Sequence, residues 1–69
     1  MTLAEQIIED AKKRGGTHYK VSCKKYGAVK EGVQLFICRL LIDGVLTEFG
    51  VGTAEIGAQM DLHRKMKER

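Results

Sequence analysis

Residues 33 to 52 constrain this chain most, because an apolar run, the pair Asp43-Gly44 and a second apolar run together read as one β-hairpin that is greasy on both faces. An Asp-Gly pair between two such runs suits the two-residue type I′ turn, in which both central residues take positive φ. Ile42 then stands opposite Val45, and the rest of the register follows. Because side chains alternate across a strand, Phe36, Cys38, Leu40 and Ile42 share a face with Val45, Thr47, Phe49 and Val51, and this is the expected core face. The other face carries Leu35, Ile37, Arg39 and Leu41 on the first strand, with Leu46 and Glu48 on the second. In this register Leu41 meets Leu46 and Arg39 meets Glu48, leaving Leu35, Ile37, Leu41 and Leu46 as an apolar patch outside the core.

A chain of 69 residues supports one domain with one modest core, since short chains bury a smaller share of their surface. The expectation is a single domain over residues 1–69, either entire or a piece of a longer multi-domain protein. With 43% hydrophobic and 30% charged residues and no proline, it has the composition of a folded protein rather than a linker. A net charge of +3 and a sequence pI near 9.0 permit contact with nucleic acid without demanding it. No run of about 18 apolar residues and no charged-then-apolar leader is present, so the expected setting is intracellular, the cytoplasm first and the nucleus second, with no membrane partner.

Cys23 and Cys38 each fall on the inward phase of an expected strand and read as buried thiols. With His18 and His63 they have no zinc-ligand spacing, so neither a metal nor a cofactor is expected. An enzyme is not expected either. There is no Cys-His or Ser-His-Asp set and no phosphate-cradling loop of known spacing, and the adjacent Glu9 and Asp10 sit on a solvated helix face.

Around the hairpin the chain divides readily. Thr2-Leu3-Ala4-Glu5 has the form of a capping box, after which Leu3, Ala4, Ile7, Ile8 and Ala11 fall on one face of a helix. Acids near its start and Lys12, Lys13 and Arg14 at its end complement the helix dipole, and Gly15-Gly16 stops it. Tyr19 to Lys25 alternates as a half-buried strand, and Gly27 to Gly32 reads as a loop. Thr53 to Lys67 is a second helix with Ala54, Ala58, Leu62 and Met66 inward, and Ile56 and Met60 outward. The expected fold is therefore α+β, in the order α-β-β-β-α, with a three-stranded antiparallel meander and both helices on one face.

This order, together with Glu9, Ala11-Lys12-Lys13-Arg14-Gly15, Tyr19, Gly27, Phe36, the Asp43-Gly44 turn and Gly50-Val51-Gly52, resembles the double-stranded-RNA-binding domain over nearly the whole chain. The resemblance implies that the first helix and the loop between the first two strands reach successive minor grooves, and that lysines opening the last helix meet the intervening phosphates. Glu9 matches the first-helix acid that contacts a ribose hydroxyl in that family. Two departures are plain. The loop histidine expected three residues after Gly27 is replaced by Lys30, and the lysine-rich opening of the last helix reads Ala54, Glu55, Ile56, Gly57, Ala58, Gln59. Each lost phosphate contact removes about 0.9 from the salt slope of binding and its share of affinity.

Domains similar to this family that lack the basic motif are often protein-interaction modules, especially the last domains of multi-domain RNA-binding proteins that assist Dicer-type nucleases, and the resemblance extends that class to this chain. The expected function is accordingly a non-catalytic interaction module that homodimerises or docks on a Dicer-type nuclease or another RNA-processing protein in RNA silencing. Its contact residues are Leu35, Ile37, Leu41 and Leu46, with Ile56 and Met60 as a second surface. Burying four large aliphatic groups on each side of a symmetric contact yields roughly 12 to 24 kcal/mol gross, against an association cost of about 4 to 15 kcal/mol. The edge of the third strand, Leu46 to Gly50, offers a further route by strand pairing. The alternative is a genuine duplex-RNA binder using Glu9, Lys24, Lys25, Lys30 and Lys65, with Arg64 alongside.

Overall fold

In the computed structural model, which describes residues 2–30 and 32–68 and omits the side chains of 28–30, the chain runs α1 (Leu3–Lys12), β1 (Tyr19–Lys30), β2 (Val33–Ile42), β3 (Val45–Gly52) and α2 (Glu55–Lys67). The sheet is antiparallel in the order β1-β2-β3, and both helices lie on the same face. This is the expected α-β-β-β-α fold. Thr2 caps α1 as a capping residue should, its hydroxyl oxygen accepting from the Glu5 amide at 3.2 Å. Ile7 and Ala11 are fully buried beneath it, and Gly15 and Gly16 at positive φ turn the chain away from its end.

Strand β1 is longer than its alternating segment. It continues through Gly27 to Lys30, where Lys30 pairs with Val33, so most of the loop expected over Gly27 to Gly32 is strand. A register irregularity between Tyr26 and Lys30 accommodates Gly27 at φ +69°. Cys23 stands directly opposite Cys38, and the two form a disulfide with their Cα atoms 4.0 Å apart. The expected pair of free buried thiols is thus corrected. Each cysteine sits inward, and the antiparallel register alone brings them together. The Gln59 side-chain amide on α2 donates to the Cys23 sulfur at 3.7 Å.

The turn between β2 and β3 has Asp43 at φ +52° and Gly44 at φ +80°, as a type I′ hairpin requires. Asp43 also ties this turn to the α1–β1 connection. One of its carboxylate oxygens accepts from the Thr17 hydroxyl at 2.7 Å and from the His18 amide at 2.8 Å, and the Thr17 amide donates to the same carboxylate at 3.1 Å. His18 Nδ1 lies 3.6 Å away.

Beyond the turn the unbroken register fails. Ile42 pairs with Val45 and Leu41 with Leu46, but Leu40 pairs with Glu48, so Thr47 is an extra residue in a β-bulge. A shift of one residue exchanges the two faces of a strand. Phe49 and Val51 are therefore not core residues. They turn to the uncovered face, and Glu48, Gly50 and Gly52 take the inward positions opposite Leu40, Cys38 and Phe36. Arg39 meets Phe49 instead of Glu48, and Glu48 is buried at 8% exposure.

The two inward glycines explain the gain. A Cβ on Gly50 would overlap the Leu62 backbone nitrogen and the Ala58 carbonyl, and one on Gly52 would lie 2.6 Å from the Ala58 nitrogen. Helix α2 consequently rests on the backbone of β3. Ala58, Leu62 and Met66 close the core with Ile7, Ala11, Cys38 and Leu40. Ala54 is exposed and offers no side-chain cap, so α2 begins at Glu55 rather than at Thr53.

Two substitutions separate close approach from helix propensity. Gly50→Ala should lower stability by about 3 kcal/mol, the upper part of the overpacking range, because backbone rather than a movable side chain opposes the new methyl. Gly57→Ala, whose Cβ meets only the Gly52 Cα at 4.0 Å, should raise stability by up to about 1 kcal/mol. Thermal unfolding followed by circular dichroism reads both.

The Asp43 carboxylate also makes this turn sensitive to pH. The Thr17 hydroxyl, then the His18 and Thr17 amides, hold its carboxyl below the ordinary aspartate value of 3.8. The unfolded chain thus binds the proton more readily. Stability from this turn is fully present above the unfolded value and is lost as pH falls through the lower folded one. The carboxyl carbon shift of Asp43 should titrate below that of an unstructured aspartate, and Thr17→Val should move it back up.

Candidate functional site

With both helices on one side, the other face of the sheet is left open. Alternation assigns it Lys20, Ser22, Lys24 and Tyr26 from β1, Leu35, Ile37, Arg39 and Leu41 from β2, and Leu46, Phe49 and Val51 from β3. A hollow of about 350 Å³ runs across it, lined by Tyr26, Ile37, Arg39, Leu41, Leu46, Phe49 and Val51. A second hollow of about 370 Å³ adjoins it at Leu41 and extends past Lys20 and Ser22 to Gly44.

Leu35, Leu41 and Leu46 lie on this face as their sequence phase predicts. Ile37 lies there too but is only 6% exposed, packed down between Lys24 and Val51 on the neighbouring strands, so it floors the hollow rather than presenting a contact. The bulge supplies Phe49 and Val51 in addition, and β1 supplies Tyr26. Tyr26, Leu46 and Phe49 are 49%, 51% and 42% exposed, a large apolar area for a surface of three strands. Ile56 and Met60 are exposed on α2, on the opposite side of the molecule from the hollow.

At Phe49 and Val51 the edge of β3 is not the open template expected for strand pairing over Leu46 to Gly50. Three of the backbone groups there that point away from β2 are taken by side chains. Val51 N–H donates to Asp61 Oδ2 at 3.1 Å, Lys65 Nζ donates to the Phe49 carbonyl at 3.1 Å, and Phe49 N–H donates to Glu48 Oε1 at 3.4 Å. Lys65 also stands 4.6 Å from the centre of the Phe49 ring and 3.4 Å from Asp61. Arg64, 2.6 Å from Asp61, and then the Val51 amide hold the Asp61 carboxyl below the usual carboxylate range. This is a covered edge of the kind that limits edge-to-edge association.

The residues of the duplex-RNA alternative are dispersed. Glu9 is paired with Lys12 at 3.1 Å on α1, Lys24 points to the open face, and Lys25 to the helix-bearing face. Lys65 is held against Phe49 and Asp61, and Arg64 against Asp61 and Glu68. The side chain of Lys30 lies outside the described residues. His63 sits 3.2 Å from Asp10 across the two helices, and His18 lies beside Asp43. Among the described residues no helix is long and apolar enough to cross a membrane.

No protein-family model matches the chain, and no curated protein matches it.

If Asp61 caps the edge, Asp61→Ala should free the Val51 amide. Its hydrogen exchange should accelerate by about tenfold or more, the loss expected for a charge-assisted bond worth about 1.5 to 3 kcal/mol, while the Cys38 and Leu40 amides keep their protection. Equal exchange at Val51 in the variant and the parent chain would show that Asp61 does not hold it.

Proposed function

We propose that this chain is a non-catalytic protein-interaction module of the double-stranded-RNA-binding-domain type, which docks another protein chain on the open face of its sheet. A second copy, a Dicer-type nuclease or another RNA-processing protein belongs to the partner class that this resemblance implies. The observation that carries the proposal is the hollow between Tyr26, Leu41, Leu46 and Phe49, where large apolar groups stand exposed around a buried Ile37 on a face that no element of the fold covers. Apolar burial of this kind drives association and excludes water from the contact.

Duplex RNA is a weaker fit to the same facts. Its recognition needs cations in register with phosphates across two minor grooves, whereas here Lys24 and Lys25 diverge to opposite faces and Lys65 is engaged by backbone. Titration with an RNA duplex should accordingly give an affinity no tighter than ordinary non-specific binding, on the order of 10⁻⁴ to 10⁻⁶ M at physiological salt.

The direct test places a photo-crosslinking amino acid at position 46, on the open face, or at position 5, on the exposed side of α1, in cells expressing the chain. The expected outcome is a discrete protease-sensitive adduct from position 46 and none from position 5, its mass telling a second copy from a foreign protein. Nuclease-sensitive adducts, or none from position 46, would contradict the proposal.

A further inference from the structure

We infer that the occupant of the open sheet face is an acidic amphipathic helix of another protein; this rests on the docking reading and adds the chemistry of the partner. The face has a one-sided charge. Lys20, Lys24 and Arg39 all take outward positions on it, whereas the described carboxylates lie on α1, on α2 and its C-cap, at the Asp43 turn and, in Glu48, on the inward side of β3. The bulge at Thr47 creates this imbalance by removing Glu48 from its expected place opposite Arg39 and putting Phe49 there.

Arg39 consequently lines an apolar hollow and has no ion pair among the described residues. Its planar guanidinium is suited to two parallel hydrogen bonds from one carboxylate. A partner that fills the hollow with aliphatic groups withdraws Arg39 from water and must supply that carboxylate, since an unpaired buried charge is costly. Lys20 and Lys24, more exposed, favour acids at the rim and speed encounter.

A second copy of this chain supplies the wrong sign. Arg39 lies near the middle of the central strand, so two copies stacked face to face about a two-fold axis bring like charges together at the centre of the contact. The shape of the partner follows from the breadth of the face. On the β3 side, Glu48, Lys65 and Asp61 engage the Phe49 N–H, the Phe49 carbonyl and the Val51 N–H, which obstructs an added strand beside the hollow. The open face spans three strands about 4.8 Å apart, which gives a trough close to the roughly 10 Å diameter of a helix. A helix across it would repeat on this side the layer that α1 and α2 form on the other.

The test is a titration of the isotope-labelled chain, followed by amide cross-peaks, with two helical peptides that share a row of leucines and differ only in flanking glutamates or lysines. The glutamate peptide should bind at least about tenfold more tightly, with shifts centred on Arg39, Leu41 and Phe49. Arg39→Met, which keeps the apolar stem, should narrow the difference to the part that Lys20 and Lys24 supply at the rim, and Arg39→Glu should narrow it further. Equal binding of both peptides to this face by the parent chain would overturn the acidic assignment while leaving the docking surface in place. Shifts on the face with neither peptide would overturn both, and a two-fold dimer through the face in sedimentation would replace the acidic helix with a second copy.

Discussion

The contact on which the rest of this fold depends is the seating of α2 against the bare backbone of Gly50 and Gly52. Any side chain at either position would strike Ala58 or Leu62 at the helix surface. With none there, Ala58 and Leu62 descend far enough to be fully buried and to meet Ile7 and Leu40, which makes a core from a chain too short to spare any of it. The close approach is available only because Thr47 is bulged out. Without that extra residue the glycines would face solvent, and Phe49 and Val51 would be driven into the helix.

The same bulge determines the surface. It moves Phe49 and Val51 to the open face beside Leu41 and Leu46, and moves Glu48 away from Arg39. One inserted residue therefore tightens the core, enlarges the apolar hollow and removes the acid that would have neutralised it. The short helix-to-strand distance has a further consequence at the edge of β3. Asp61 and Lys65, on the turn of α2 that flanks Leu62, come close enough to bond Val51 and Phe49 directly. Packing, edge protection and the character of the open face are thus three results of one register.

Much of the fold was legible because its signals are local. Thr2 with Glu5, the Gly15-Gly16 stop, the Asp43-Gly44 turn and the spacing of Ala58, Leu62 and Met66 each act over a few residues, and each element formed where they point. What was not legible depends on tertiary contacts. A bulge has no residue signature at Thr47, and the disulfide needs a register that neither cysteine reveals alone. Strand β1 runs past Gly27 because pairing with β2 outweighs the weak strand preference of glycine. A usable signal was present in Gly50 and Gly52. Two glycines two apart in a strand leave one face bare, as a closely approaching helix requires, and taking that face as inward would have placed Phe49 and Val51 outside. The candidate site was accordingly half visible. Leu35, Leu41 and Leu46 came from alternation on β2 and the turn, whereas Phe49, Val51 and the separation of Arg39 from Glu48 came only with the bulge.

The measurement that tests this account most directly is the cross-strand Hα–Hα nuclear Overhauser effect of Arg39 in the free chain. Pairs that do not exchange backbone hydrogen bonds bring their Cα atoms to about 4.5 Å, close enough for a strong signal. The bulged register predicts that signal between Arg39 and Phe49, with its companion between Ile37 and Val51. A strong effect between Arg39 and Glu48 instead would mean an unbroken ladder, with Phe49 inside, the glycines outside, and neither the seating of α2 nor the cationic apolar face as described.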